Sequence, residues 1–282
     1  MNYRNFSNTR FKVSEIGLGC WSLGGSWSDV TKQNALRIIG KAVDRGVNFL
    51  DTADVYGYGV SEKIIGNYTK SNKSKRIYVA TKIGSKLKPF FPENYNLSYL
   101  ETYLNDSLKN LKSECIDLLQ LHCPPKQLIE SFELHNQMEF LIKKGKILNY
   151  GISVFNLEEA NASIKFKGVK SVQLPFNIFR QKPLKSFIKE ASKRNIAIIA
   201  RAPFASGLLT GSINENSIFP SSDHRNYNID GKYFSISETF SGIPLKNSLI
   251  AVKKLKAILP RGISLVDLAL SWILQFKEIT TV

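Results

Sequence analysis

The sequence predicts an α/β fold: a closed (β/α)8 TIM barrel entered through a small N-terminal β-hairpin, with residues 1–282 forming a single domain. Three observations predict it. Short β-branched runs alternate with amphipathic segments along nearly the whole chain, an order that implies parallel strands joined by right-handed crossovers. The strand-like runs number eight, which points to a closed barrel rather than an open sheet. The chain has 282 residues and is 43% hydrophobic, enough for one large core and usual for such a barrel.

The elements follow in order. YRNFSN and FKVSE supply the hairpin, and EIGLGC (15–20) is the first barrel strand. NALRIIGKAVDRG (34–46) has helical spacing and closes on Gly46, a residue suited to a helix end. NFLDTA (48–53) is a strand, SEKIIGNYT (61–69) a short helix, RIYVATKI (76–83) a strand and LSYLETYLNDSLKNL (97–111) a helix. IDLLQLH (116–122) is the fourth strand, and one helix is expected over 128–146. ILNYGIS (147–153), VKSVQLPF (169–176) and IAIIARA (196–202) are strands, separated by the helical LEEANASIKF and PLKSFIKEASKRN. A segment rich in Gly, Ser, Asn and Pro then runs from Pro203 to about Ser241. It is too long for an ordinary connection and reads as a lid or disorder. The helices NSLIAVKKLKAIL and SLVDLALSWILQF lead to an eighth strand in EITTV.

Composition excludes several classes. No apolar run reaches eighteen residues, so no membrane span is expected. The polar MNYRNFSNTRFKVSE start carries no apolar signal-peptide core. Cys20, Cys115 and Cys123 are irregularly spaced and suit a reducing cytoplasm better than a disulfide framework. The net charge of +16 admits nucleic acid or an anionic ligand. No helix carries a continuous basic stripe and no nucleic-acid motif appears, so no nucleic-acid partner is expected. The three histidines, His122, His135 and His224, are too few at strand ends for a metal-dependent hydrolase, and no metal is expected.

In such barrels the chemistry gathers at the C-terminal strand ends. Those ends carry Cys20 with Trp21, Asp51, Lys82, His122, Ser153, Gln173 with Asn177, and Arg201, each about one βα unit from the last. Asp51, Lys82 and His122 should converge on one mouth, with Tyr56 on the loop after Asp51. Taken singly, each residue also has an ordinary reading: a structural histidine, a surface lysine, a turn aspartate. The four in consecutive units argue jointly for a site.

The sequence resembles the aldo-keto reductase family. DTADVYGYGVSEKIIG, VATKIG, LLQLHCPP, VQLPFNIF, PFASGLLTG and FPSSDHR carry the resemblance, which runs from the first strand to the last residue. It implies an oxidoreductase that moves a hydride between NADP(H) and the carbonyl of a small molecule: an aldehyde, ketone or sugar. By resemblance Tyr56 is the proton donor, Lys82 acts on Tyr56, Asp51 fixes Lys82 by an ion pair, and His122 orients the carbonyl. A free tyrosine ionises near pH ~10, and a nearby ammonium favours the tyrosinate. The ammonium in turn needs a carboxylate, because it is costly to desolvate alone.

The chain has no Gly-x-Gly-x-x-Gly run opening a helix after a strand. By resemblance, Trp21 or its neighbours line the cofactor pocket, Ser153 and Gln173 bind the carboxamide, and the 203–211 loop, with Pro203, Phe204, Gly207 and Leu208, wraps the pyrophosphate. Three departures stand out. Val154 replaces an asparagine common in the family, and Arg201 replaces an aromatic and reads either as a ligand contact or as an ion-pair partner. The sequence also stops at EITTV, so the final helix and the loop that grips the 2′-phosphate are missing. Weak NADPH binding, poor discrimination against NAD and an eighth strand with a bare outer face are expected from this. A non-catalytic nicotinamide-binding sensor or partner-docking barrel is the alternative reading. The sequence assigns neither the substrate nor an oligomeric state.

Overall fold

The computed structural model describes residues 1–25, 30–86 and 95–282. The hairpin pairs β1 (Tyr3–Asn5) with β2 (Lys12–Ser14) in antiparallel register. Eight parallel strands follow in one sheet: β3 (Leu18–Gly19), β4 (Phe49–Asp51), β5 (Tyr78–Ile83), β6 (Ile116–His122), β7 (Ile147–Ser153), β8 (Val169–Pro175), β9 (Ala197–Arg201) and β10 (Ile279–Thr281). Each strand pairs with its sequence neighbour, and β10 pairs with β9. Two backbone hydrogen bonds close the ring next to β3: Gly17 N–H to the Val282 carbonyl (2.8 Å) and Val282 N–H to the Glu15 carbonyl (3.0 Å). Only Leu18–Gly19 of the expected 15–20 strand joins the ladder. Its neighbours are occupied in this closure and in the turn to Trp21.

Side-chain alternation along the strands builds the interior in two storeys. At the lower end Phe49, Ala80, Leu118, Ala197 and Ile199 pack against Phe6, Phe11 and Val13 of the hairpin, which plugs the barrel. The Phe6 and Phe49 rings lie 5.9 Å apart. Two residues further along the same faces come Asp51, Lys82, Gln120 and Arg201. The polar residues of the mouth thus rest on an apolar floor.

The helices are α1 (Lys32–Asp44), α2 (Val60–Ser71), α3 (Leu97–Leu111), α4 (Lys126–Ile129), α5 (Phe132–Lys143), α6 (Leu157–Ser163), α7 (Phe187–Lys193), α8 (His224–Tyr227), α9 (Leu245–Ile258) and α10 (Leu265–Leu274). Side chains cap several of their starts: Thr31, Asn96 and Ser131, and the reciprocal boxes Asn156–Glu159 and Ser264–Asp267. Such caps satisfy first-turn N–H groups. The single helix expected over 128–146 is two helices. Ser131 accepts the Leu134 N–H and starts a new helix where the continuous apolar spacing concealed a break. The long segment after β9 is ordered, holding α8 and short 3-10 turns at Leu208–Thr210, Ile236–Glu238 and Phe240–Gly242.

The last strand departs from expectation. Ile279, Thr280 and Thr281 are all buried, because the hairpin and α10 both lie against β10. Arg4 from β1 donates to the Phe276 carbonyl (2.9 Å), the Leu274 carbonyl (2.8 Å) and the Ile279 carbonyl. These carbonyls end α10 and begin β10, where intrahelical donors run out. Arg4→Met is expected to destabilise the fold by about 2–3 kcal/mol, the cost of orphaning acceptors bonded to a charged group. Thermal unfolding of the two proteins side by side checks this.

Candidate active site

The loop after β4 and the top of β5 assemble the centre. The Lys82 ammonium, 1% exposed, lies 2.6 Å from Asp51 Oδ2, 2.9 Å from the Thr52 carbonyl and 3.3 Å from the Tyr56 hydroxyl. Its three N–H donors are therefore all directed. Asp51 Oδ1 accepts from Gln120 Nε2 at 3.1 Å and from Gln173 Nε2 at 2.9 Å. The Tyr56 ring meets the His122 ring edge-on, with centroids 6.0 Å apart.

Charge and burial compete here. Desolvation pushes the Tyr56 hydroxyl above its ordinary range and outweighs the Lys82 ammonium, which pulls the other way as expected. Tyr56 is thus protonated at neutral pH. Burial works against the Lys82 charge, yet Asp51 and Tyr56 together hold it above the ordinary lysine range. Burial, then Lys82 and Arg201, hold His122 well below the usual imidazole range, so it is neutral.

The rest of the DTADVYGYGVSE motif braces this loop. Thr52 Oγ1 donates to Ser61 Oγ (2.8 Å), which donates to the Cys20 carbonyl (2.9 Å). Buried Glu62 accepts from Thr81 Oγ1 (2.6 Å) and Asn110 Nδ2 (3.1 Å), joining α2 to β5 and α3. The loops after β3 and β4 touch backbone to backbone. A Cβ on Gly57, which has φ +59°, would stand 2.0 Å from the Gly24 carbonyl oxygen. This contact sets Trp21 on Tyr56, their rings stacked at 5.7 Å.

Asp54 is buried in the same loop and has no side-chain partner among the described residues. Burial raises its pKa to about 7, against the pull of Lys86 and with the help of Glu62. The folded state therefore binds a proton that the unfolded chain releases near pH ~4. Stability falls as pH climbs from there to about 7, and the full cost is present above that. Asp54→Asn is expected to stabilise the protein by about 2 kcal/mol at pH ~8 and to leave it almost unchanged near pH ~4. Unfolding midpoints at the two pH values check this.

The remaining expected residues fall around the mouth. Ser153 and Gln173 are register partners on β7 and β8, and Ser153 Oγ donates to Gln173 Oε1 at 3.3 Å. Val154 is buried in the barrel wall. Arg201 is ion-paired with Glu238 of the long segment and donates to the Val154 carbonyl at 2.8 Å. Glu238 also lies 3.7 Å from Arg180. Pro203, Phe204 and Gly207 form the turn above β9, whereas the Leu208 side chain is buried in a satellite core with Leu209, Ile213 and Phe240. Ala202, Ala205, Ser206 and Gly207 have φ of 55°, 47°, 58° and 97°. A run of left-handed non-glycine residues is strained, and such turns make concavities for anions. The sequence offers Phe90, Phe91 and Phe204 as an apolar rim to the pocket or equally as loop anchors; Phe90 and Phe91 lie outside the described residues.

Sequence reasoning missed Gln120, Asp54, Glu238 and His224 as members of the mouth. His224 from α8 lies against Trp21 in a tilted arrangement, with ring centroids 5.4 Å apart and planes at 40°. Gln120 had a readable signal: it lies two residues before His122 and so shares its inward face.

The class is now defined: a (β/α)8 barrel with a tyrosine, a lysine–carboxylate pair and a neutral histidine at its mouth. The chain belongs to the aldo/keto reductase family, whose match spans residues 15–282, and it is an oxidoreductase of that kind. NADP-dependent hydride transfer is general to the family. The chain is 30% identical over 279 residues to the aldo-keto reductase YhdN of Bacillus subtilis, covering 98% of this chain and 82% of that one. It is 30% identical over 221 residues to the Schizosaccharomyces pombe aldo-keto reductase yakc [NADP(+)], covering 76% and 64%. Among solved structures, the glycerol dehydrogenase of Gluconobacter oxydans superposes with a TM-score of 0.78 at 28% identity, covering 100% of this chain and 85% of that one. Among the described residues no helix is long and apolar enough to cross a membrane, and no cluster of His, Cys, Asp and Glu could hold a metal.

Proposed function

We propose that the protein reduces an aldehyde, ketone or sugar carbonyl with NADPH, and runs the reverse oxidation, with Tyr56 as proton donor. The observation that carries this reading is the Lys82 ammonium lying between Asp51 and the Tyr56 hydroxyl. When bound, the nicotinamide supplies the hydride. The developing alkoxide is then met by the Tyr56 proton, and the Lys82 charge stabilises the tyrosinate left behind. Neutral His122, at right angles to Tyr56, orients the carbonyl without competing for that proton.

The residues fit the cofactor. Ser153 and Gln173 offer a hydroxyl and an amide for the carboxamide, Trp21 walls the pocket, and the strained turn at 202–207 suits a pyrophosphate. Arg201 sits beside it, and its bond with Glu238 makes the long segment part of this wall. The named activity of the Gluconobacter oxydans neighbour favours small hydroxylated carbonyls among the candidate substrates. The three free cysteines fit a reducing cytoplasm.

One observation favours the sensor reading. Val154 offers no amide to the carboxamide, and one N–H of Gln173 is committed to Asp51. One experiment separates the two. The 282-residue chain is titrated with NADPH and with NADH, following tryptophan quenching, and then mixed with a panel of small aldehydes, ketones and sugars. Quenching at micromolar NADPH together with carbonyl-dependent loss of NADPH supports the reductase. Tight binding without turnover across the panel supports the sensor.

A further inference from the structure

We infer that Gln120 is a positioning residue of the proton-transfer site, holding the Asp51 carboxylate from the side that Lys82 does not reach. The inference rests on the reading of Tyr56 as proton donor. Gln120 is fully buried on β6, in register with Lys82 on one side and Gly151 on the other. Its Nε2 donates to Asp51 Oδ1 at 3.1 Å, the oxygen that Gln173 Nε2 reaches at 2.9 Å. Asp51 Oδ2 is left to Lys82 at 2.6 Å. Each carboxylate oxygen has its own donors, so the plane of the group is fixed.

The other end of Gln120 argues that this bond is its purpose. Its Oε1 has no hydrogen-bond partner among the described residues. A buried orphan acceptor destabilises a fold, and an apolar side chain of the same shape would avoid the penalty. In the polar layer beside Lys82, the amide is explained by what its N–H does for Asp51. An amide also donates without adding charge. Lysine there would compete with Lys82 for the carboxylate, and a carboxylate would repel it.

The consequence falls on Tyr56, which is faced by Asp51, Lys82, His122 and Arg201, with Cys20 and Glu238 behind them. Asp51 disfavours the tyrosinate and Lys82 favours it. Donors on Oδ1 draw charge away from the carboxylate and so leave more of the Lys82 field for Tyr56. Removing the Gln120 donor should make Tyr56 harder to ionise. The alkaline limb of carbonyl reduction, where Tyr56 loses its proton, then moves to higher pH. Oxidation of the alcohol, which needs the tyrosinate, slows at neutral pH.

The test is the pH profile of kcat/KM and kcat for carbonyl reduction in the wild type and in Gln120→Met, with NADPH affinity followed by tryptophan quenching. The expected result is an alkaline limb raised by about half a unit to one unit, with NADPH affinity within about twofold of wild type because Gln173 and Ser153 are untouched. Should Gln120→Met fail to fold, Gln120→Asn replaces it, keeping an amide but drawing it back by one methylene. An unshifted limb in the folded variant overturns the inference alone, and so does a fall in kcat that tracks only a lower unfolding temperature. A wild-type chain that binds NADPH but reduces no carbonyl overturns the function proposed above and this role with it.

Discussion

Tyr56→Phe is expected to lower carbonyl reduction by about 10²–10⁴-fold, the usual scale for losing a positioned general acid. The substitution removes one atom and little else. The ring keeps its stack on Trp21 and its edge contact with His122. Lys82 keeps Asp51 and the Thr52 carbonyl. Fold and NADPH affinity should therefore be unchanged, and the loss should appear in kcat. Steady-state rates with a saturating substrate, beside a fluorescence titration of NADPH, decide it. Turnover within about tenfold of wild type would remove Tyr56 from the mechanism.

Lys82→Met is expected to abolish the same activity and also to destabilise the protein by about 3 kcal/mol, because it leaves the largely buried Asp51 carboxylate without its counter-charge. For a chain of this size that is a fall in Tm of roughly 5–10 °C. The two amide donors on Oδ1 remain, but they carry only partial charge. The double variant Asp51→Asn/Lys82→Met should recover most of the lost stability and none of the activity. Recovery of this kind assigns the loss to an orphaned charge rather than to packing. A double variant as unstable as Lys82→Met would mean that methionine simply fits the barrel interior badly.

How much of this was legible in the sequence follows from the range of each interaction. Strand alternation and the spacing of strand ends place Asp51, Lys82 and His122 in one mouth, because consecutive βα units repeat the same local geometry. Tyr56 follows, since a five-residue loop from Asp51 leaves it little reach. The Arg201–Glu238 pair spans 37 residues and is written in no local pattern; it depends on how the long segment folds back. The ionisation of Tyr56 was legible only in part. The effect of Lys82 is chemical and readable, whereas burial is a property of the assembled walls and turned the net shift upward. The break at Ser131 was hidden for a different reason: apolar spacing continues through it, and a serine cap acts through one hydrogen bond. The buried face of β10 required knowing that Arg4, some 270 residues away in sequence, ends α10.

The backbone contact between Gly24 and Gly57 bears on how such a site can diverge. Neither loop has room for a side chain at that point, so a change in one must be matched by a shift in the other. The two loops are therefore sterically coupled, and a side chain added to either is expected to be rejected by the other. Variation in what the mouth accepts is expected to fall instead in the long excursion after β9, whose α8 sets His224 beside Trp21. Directed evolution of this barrel toward a new carbonyl would gain most from libraries in 219–240 and least from libraries around the two glycines.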